Sequence, residues 1–182
     1  MKIKAKIMDE ITINRTMARI THEVLERNGG VNDLCIFGVK QRGVPLAKKL
    51  CDNVILFEGV DLLFGELDIT MKRDDISDQE KLVKATTSIV PFDITNKNVL
   101  IVDDVLYTGR TAKAALETLF SFGRPKSVQL AVLIDRGHRE LPIRPDYIGK
   151  NVPTSSNETI VVDLTSKEQG GVYICDKLTE DK

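Results

Sequence analysis

The feature that most constrains this chain is residues 99–111, Val-Leu-Ile-Val-Asp-Asp-Val-Leu-Tyr-Thr-Gly-Arg-Thr. Val99, Leu100, Ile101 and Val102 are apolar at consecutive positions. Both faces of a strand made from them must therefore be covered, as in the middle of a parallel sheet flanked by helices. Asp103 and Asp104 follow where that strand emerges. Tyr107, Thr108, Gly109, Arg110 and Thr111 then lead into a helix whose apolar stripe is Ala112, Leu116, Leu119 and Phe120, with Gly123, Arg124 and Pro125 as its stop.

The chemistry follows from the residue types. Paired carboxylates accept hydrogen bonds from vicinal hydroxyls, or help to hold a divalent cation through water. Backbone N–H groups left over at a helix N-terminus surround a phosphate. Acids for sugar hydroxyls beside amides for phosphate describe a sugar-phosphate site. Taken singly, the acid pair merely ends a strand and Thr108 merely caps a helix; the order in which they occur is what carries the reading. The sequence contains neither G-x-x-x-x-G-K-[ST] nor G-x-G-x-x-G, so a P-loop and a dinucleotide fold are excluded.

Upstream, Ile13, Met17, Ile20 and Val24 recur at helical spacing, and Asn28, Gly29 and Gly30 stop that helix. A strand is predicted over 34–39, then a glycine-framed loop, 38–43, and a helix from about Pro45 to Leu50. Residues 62–69 read as another strand. The polar run 71–80 after it fits a mobile lid or β-ribbon over a site, or equally a solvated surface loop. Further strands are predicted over 128–134, 159–162 and 172–175. Strand and helix alternate, so the expected architecture is α/β with a mainly parallel sheet flanked by helices. Ligands of such sheets bind beyond the carboxyl ends of the strands, which selects the loops after Val39 and after Asp103.

The 182 residues, 42% hydrophobic and 29% charged, suit one domain, 1–182, with a real core. A formal charge of −1 gives no bulk affinity for nucleic acid or membrane, though an average hides any local patch. Cys35, Cys51 and Cys175 make no close pair and no metal-like cluster with His22 and His138. Unpaired thiols fit a reducing cytoplasm. The N-terminus lacks the apolar core of a signal peptide, and no stretch approaches about 18 uninterrupted apolar residues. No membrane partner is expected.

Residues 99–111 resemble, over all thirteen positions, the 5-phosphoribosyl-1-pyrophosphate (PRPP) motif of type I phosphoribosyltransferases. With residues 38–43, 72–75, 135–144 and 146–155, the chain is similar along its whole length to the PyrR family of pyrimidine operon regulators and uracil phosphoribosyltransferases. That resemblance implies a type I phosphoribosyltransferase fold with a small hood and a mobile β-ribbon loop. It implies that Asp103 and Asp104 contact the ribose hydroxyls and that Val105, Leu106, Tyr107, Thr108, Gly109, Arg110 and Thr111 line the nucleotide site, the last five taking the 5-phosphate. Lys40, Gln41 and Arg42 would hold the pyrophosphate, a role that two cations in a glycine frame also suit. Arg73 would close over the leaving group, and Arg136 and the backbone around Ile160 would recognise uracil. No protein-held metal is implied; Mg2+ would arrive bound to PRPP. Gln41 replaces a threonine, and Lys72 a tyrosine, that are usual in the family, and either change bears on rate or affinity.

Arg15, Arg19 and His22 project within about 60° of one another on the first helix, opposite its apolar stripe. On its own this is a solvated helix face. The PyrR resemblance implies instead a basic dimer surface that binds a leader-mRNA hairpin when UMP or UTP is bound, with Arg19, His22, Arg27, Arg139, Arg144 and Lys150 as contacts. It also implies a homodimer that pairs further. The alternatives are a phosphoribosyltransferase for another base and a catalytically silent regulator. The intact acid pair argues against the silent regulator, and residues 135–153 resemble the pyrimidine regulator rather than purine salvage enzymes.

Overall fold

The computed structural model describes residues 2–72, 87–165 and 170–177. Five strands make one parallel sheet: β2 (Leu34–Val39), β3 (Leu63–Leu67), β4 (Asn98–Leu106), β5 (Ser127–Asp135) and β6 (Tyr147–Asn151), in the order β3-β2-β4-β5-β6. The chain runs from β2 outward to β3, then crosses back to place β4 on the other side of β2. That reversal opens a crevice at the carboxyl ends of β2 and β4, the place where open α/β sheets bind ligands.

Alternation along β4 explains its continuous apolar run. Leu100 and Val102 pack into a core with helices α1 (Glu10–Asn28) and α2 (Gly43–Glu58). Val99 and Ile101 pack into a second core with Ala112, Ala115 and Leu119 of α3 (Arg110–Phe120). Each face is dry because each is covered.

α1 has the expected stripe, with Ile13, Met17, Ile20 and Val24 all buried. Asp9 caps its first turn by accepting from the Thr12 amide at 2.7 Å, and Gly29, in a left-handed conformation, ends it. α2 is longer than the 45–50 segment predicted: it starts at Gly43 and runs to Glu58, because Leu46, Leu50 and Val54 continue one buried face until Gly59 breaks the helix. Phe120, assigned to the stripe of α3, is instead 54% exposed; Ala115 and Leu119 turn the closest-packed face of this helix away from it.

A second, three-stranded antiparallel sheet forms a small hood, in the order β1-β8-β7, from β1 (Lys2–Asp9), β7 (Glu158–Asp163) and β8 (Gly171–Asp176). Met8, Ile160, Val162 and Val172 join the α1–α2 core, so the hood is anchored to the main body. β1 and β6 are additional to the predicted strands: residues 2–7 alternate lysine with an apolar residue, as in a half-buried strand, yet β1 is largely exposed until Met8, and β6 buries only Tyr147. Glu66 and Ile89 exchange two 2.8 Å backbone hydrogen bonds beyond β3. Thr70–Lys72 make a 3-10 turn, and residues 73–80 of the polar segment expected to form a lid, Arg73 included, lie outside the described residues. No described helix is long and apolar enough to cross a membrane.

Candidate active site at the crossover of the sheet

The crevice between β2 and β4 is a cleft of about 370 Å3 whose walls include Lys40, Gln41, Arg42, Asp103, Asp104 and Thr111. Residues 40–42 follow β2, and residues 103–111 occupy the end of β4 and the turn into α3. Gly43 makes their approach possible. A Cβ there would lie 2.3 Å from the carbonyl oxygen of Val102 and 3.2 Å from the Cα of Asp103, so any side chain would push the loop away from the acids.

β4 extends through the acids to Leu106, pairing with β5 at Asp103 and again at Val105 and Leu106. The carboxylates are therefore held by a strand rather than by a loop. Asp104 Oδ2 stands 3.6 Å from Nη1 of Arg42, so the two sides of the cleft attract each other across it. The Lys40–Gln41 peptide is cis. Lys40 Nζ donates to the carbonyl of Thr87 at 2.8 Å and lies 3.6 Å from Glu66. Val39, Ile69 and Thr70 also line the cleft; Ile69 closes the predicted strand 62–69 and Thr70 borders the polar run after it, so neither carries a site signal in the sequence.

After Leu106 the chain turns through Tyr107 and Thr108 to Gly109, which takes φ 96°, a left-handed conformation that favours glycine, and Arg110 opens α3. The Thr108 hydroxyl does not cap the helix as a conventional N-cap would; its Oγ1 accepts from the Arg110 amide at 3.3 Å, and Gly109 is the capping position. Apart from that bond to the Arg110 amide, the capping residue Gly109 offers α3 no side-chain cap, which suits a bound anion.

Arg136 is 4% exposed and is held among neutral groups. Its Nε donates to Thr154 Oγ1 at 3.0 Å, its Nη2 donates to the carbonyl of Glu158 at 2.8 Å, and its guanidinium lies 3.9 Å from the ring centroid of Tyr107. Burial lowers its pKa from the usual guanidinium value. Arg136 therefore bridges the phosphate turn and the hood. β7 is the outer strand of the hood, and the Glu158 carbonyl faces away from β8 toward Arg136, while the neighbouring Asn157 carbonyl accepts from Lys177 beyond β8. Backbone groups two residues apart in a strand point the same way, so the N–H and C=O of Ile160 face the open edge beside Arg136. The side chain of Ile160 is core, so only its backbone is turned to that edge. The need for Thr154 as a partner to Arg136 has no signal in the sequence.

Of the basic residues predicted on α1, Arg19 and Arg27 reach β6 and the residue before it. Nη2 of Arg19 donates to the carbonyls of Ile148 and Gly149 at 2.9 Å, and Arg27 Nη1 is 2.7 Å from Asp146 Oδ1 and stacks over Tyr147. Lys150 and Arg144 are exposed. His22 stacks on Phe57 of α2 with ring centroids 4.3 Å apart. Arg139 differs from these: its guanidinium is turned inward, to Asp135 Oδ2 at 2.6 Å and to the carbonyl of Tyr107 at 2.8 Å.

Among the described residues no group of three or more His, Cys, Asp or Glu could hold a metal ion. The donors at the cleft are two adjacent carboxylates, hard oxygen ligands that fit a Mg2+ ion carried in by its own phosphate ligand and held through water. The buried thiols of Cys35 and Cys51 are pushed up to about 12 by desolvation, which leaves them without nucleophilic character.

This arrangement of sheet, cleft and hood is shared with known proteins. Solved structures of hypoxanthine phosphoribosyltransferases superpose at a TM-score of 0.72 and 18% identity over 94% of this chain and 95% of that one. A Trypanosoma cruzi enzyme captured with ternary substrates gives 0.70 and 21% over the same shares. At those identities the likeness shows the fold. Residues 7–169 match the family described as the phosphoribosyl transferase domain. The bifunctional protein PyrR of Bacillus velezensis is 53% identical over 173 residues, 93% of this chain and 94% of the relative. That of Bacillus mycoides is 52% identical over 97% of this chain and 100% of the relative. With sequence likeness of that depth laid over the same fold, the chain belongs to the phosphoribosyl transferase domain family and, within it, to the PyrR proteins.

Proposed function

We propose that the protein is a uracil phosphoribosyltransferase that also acts as a transcriptional attenuator of the pyrimidine biosynthetic operon, binding leader mRNA in response to UMP or UTP. One observation carries the enzymatic reading: the cleft brings the cationic 40–42 loop within 3.6 Å of the acid pair at the crossover of a phosphoribosyltransferase fold. PRPP spans it, with pyrophosphate on Lys40, Gln41 and Arg42, ribose hydroxyls on Asp103 and Asp104, and the 5-phosphate on the amides of residues 107–111. Uracil lies against Arg136 and the edge of β7, where one N–H and one C=O of Ile160 match an adjacent acceptor and donor of its imide edge.

In the reaction the C1–pyrophosphate bond breaks, the C1–N1 bond to uracil forms, N1 gives up its proton, and UMP and diphosphate leave. A cation-like ribosyl centre develops, so the protein positions the reactants and stabilises the departing charge, with no side-chain nucleophile. Asp103 and Asp104 would hold, through water, a Mg2+ ion arriving with PRPP, and that ion would supply partial neutralisation of the diphosphate charge. Arg73, outside the described residues, closes over the leaving group and excludes water. The regulatory surface is the basic strip along α1 and β6, carried by Arg19, His22, Arg27, Arg144 and Lys150, with copies of the chain paired in the cytoplasm. Because a basic strip supplies affinity through phosphates, the hairpin must be recognised by further contacts.

Incubation with labelled uracil, PRPP and Mg2+ tests the enzyme: UMP is expected, and none above background overturns it. A gel shift with a leader hairpin should tighten on adding UMP and weaken in Arg19→Ala and Arg144→Ala. Unchanged binding in both variants removes the proposed surface.

A further inference from the structure

Two carbonyls of the phosphate turn are taken up by the segment that follows β5. Nη1 of Arg139 donates to the carbonyl of Tyr107 at 2.8 Å. The amides of Glu140 and Leu141 donate to the carbonyl of Thr108 at 2.9 and 3.0 Å. Both peptides concerned are trans, so each tethered carbonyl sends the following N–H the opposite way. The amides of Thr108 and Gly109 consequently point away from residues 139–141. Arg110, the next residue, is held by Glu140 through a 2.7 Å contact to its Nε.

Arg139 is in turn fixed from several directions. Its Nη2 donates to Asp135 Oδ2 at 2.6 Å, its Nε to the carbonyl of Ile143 at 2.8 Å, and its Nη1 also to the carbonyl of Gly137 at 3.2 Å. Its side chain is 21% exposed and that of Asp135 is 13% exposed. A cation meant to meet RNA phosphates presents its guanidinium to solvent; this one directs all three nitrogens into its own chain. A partly buried, charge-assisted network of this kind is rigid and depends strongly on each member.

We propose that Arg139 is a positioning residue for the 5-phosphate: it touches no substrate, and it holds the Tyr107–Thr108 backbone so that the amides of the turn are aimed at the phosphate. The inference rests on reading residues 107–111 as the 5-phosphate site. It gives Arg139 a part in the machinery of PRPP and UMP binding.

Calorimetric titration of the whole protein with UMP and with uridine tests it, because the ratio of the two dissociation constants isolates the phosphate. Arg139→Met keeps the apolar stem and removes the guanidinium. The ratio should fall about tenfold, as for one misdirected charge-assisted contact, and KM for PRPP should rise while kcat at saturation changes less. If Arg139→Met does not fold, Arg139→Gln carries the same comparison. A folded variant of either kind with the wild-type ratio overturns the positioning role. A wild-type protein that binds uridine as tightly as UMP overturns the phosphate-site reading instead.

Discussion

The two loops that face each other across the cleft are held in different ways. The phosphate turn is tethered through its own backbone, with the carbonyls of Tyr107 and Thr108 bonded at 2.8 to 3.0 Å and Gly109 buried in a left-handed conformation. The 40–42 loop is tied through its backbone only where it leaves β2, by the Lys40 amide to the Leu67 carbonyl at 2.9 Å; beyond that, Arg42 reaches Asp104 only with the end of a 56% exposed side chain, at 3.6 Å. Backbone tethers fix geometry, whereas exposed ion pairs are weak and exchange readily. The difference matches the chemistry. Ribose 5-phosphate is common to substrate and product and profits from a rigid seat, while pyrophosphate must be gripped and then released.

That contrast can be broken, most severely at the acids between the loops. Replacing both carboxylates, Asp103→Asn with Asp104→Asn, should lower kcat/KM for UMP synthesis by at least about a hundredfold, with little change in melting temperature, since charge at the reacting centre is lost and volume is kept. Steady-state kinetics and calorimetry together read this. Activity within a fewfold of wild type would show that the strand-held acids do not serve the reaction.

Gly43→Ala attacks the approach of the loops. Its Cβ would meet the Val102 carbonyl at 2.3 Å, and relief of such an overlap costs about 1–3 kcal/mol. A lowered melting temperature and a raised KM for PRPP are expected. Arg42→Ala should act more gently: KM for PRPP rises about fivefold to tenfold, as for one charge-assisted contact, and the effect shrinks with added salt because the group is exposed. An equal loss in kcat with unchanged KM would mean that the 40–42 loop does more than grip.

The smallest effect concerns the hood. Hydrogen bonding from Lys4, with further bonds from Ser155, lowers the Glu158 carboxyl to about 2 from an ordinary 4.5. Its folded-state pKa is depressed, so the stability it contributes is complete above the unfolded value and is lost as pH falls from about 4.5 toward 2. In Lys4→Ala the NMR titration midpoint of Glu158 should move up toward the ordinary value, and the hood should melt earlier on acidification. An unmoved midpoint would show that Lys4 is not the cause.

Much of this was legible in the sequence where one physical cause acts alone. The double-faced apolar run 99–102 announces a central strand, because nothing else tolerates it. The stripe from Ile13 to Val24 announces α1, because its spacing fits one face of a helix. The order of acids, turn and helix announces the sugar-phosphate site. Legibility fails where an element depends on a distant partner. β1 carries a short alternation of lysine and apolar residues, but it is mostly exposed, and pairing with β8 is what holds it as a strand. Arg19 and Arg27 look like any solvated helix face until β6 supplies carbonyls to one and Asp146, just before it, pairs with the other. Arg139 reads as one more surface cation. Only the fold reveals that Tyr107, thirty-two positions earlier, is its partner.

The central claim is that the cleft at the crossover holds the nucleotide between these two unlike loops. A crystal structure of the protein with bound UMP tests it most directly. The account predicts the phosphate within hydrogen-bond distance of the amides of residues 107–111, the ribose hydroxyls on Asp103 and Asp104, and the uracil edge against Arg136 and the backbone of Ile160. UMP bound elsewhere, or with its phosphate on Lys40 and Arg42 and the 107–111 turn empty, would contradict it.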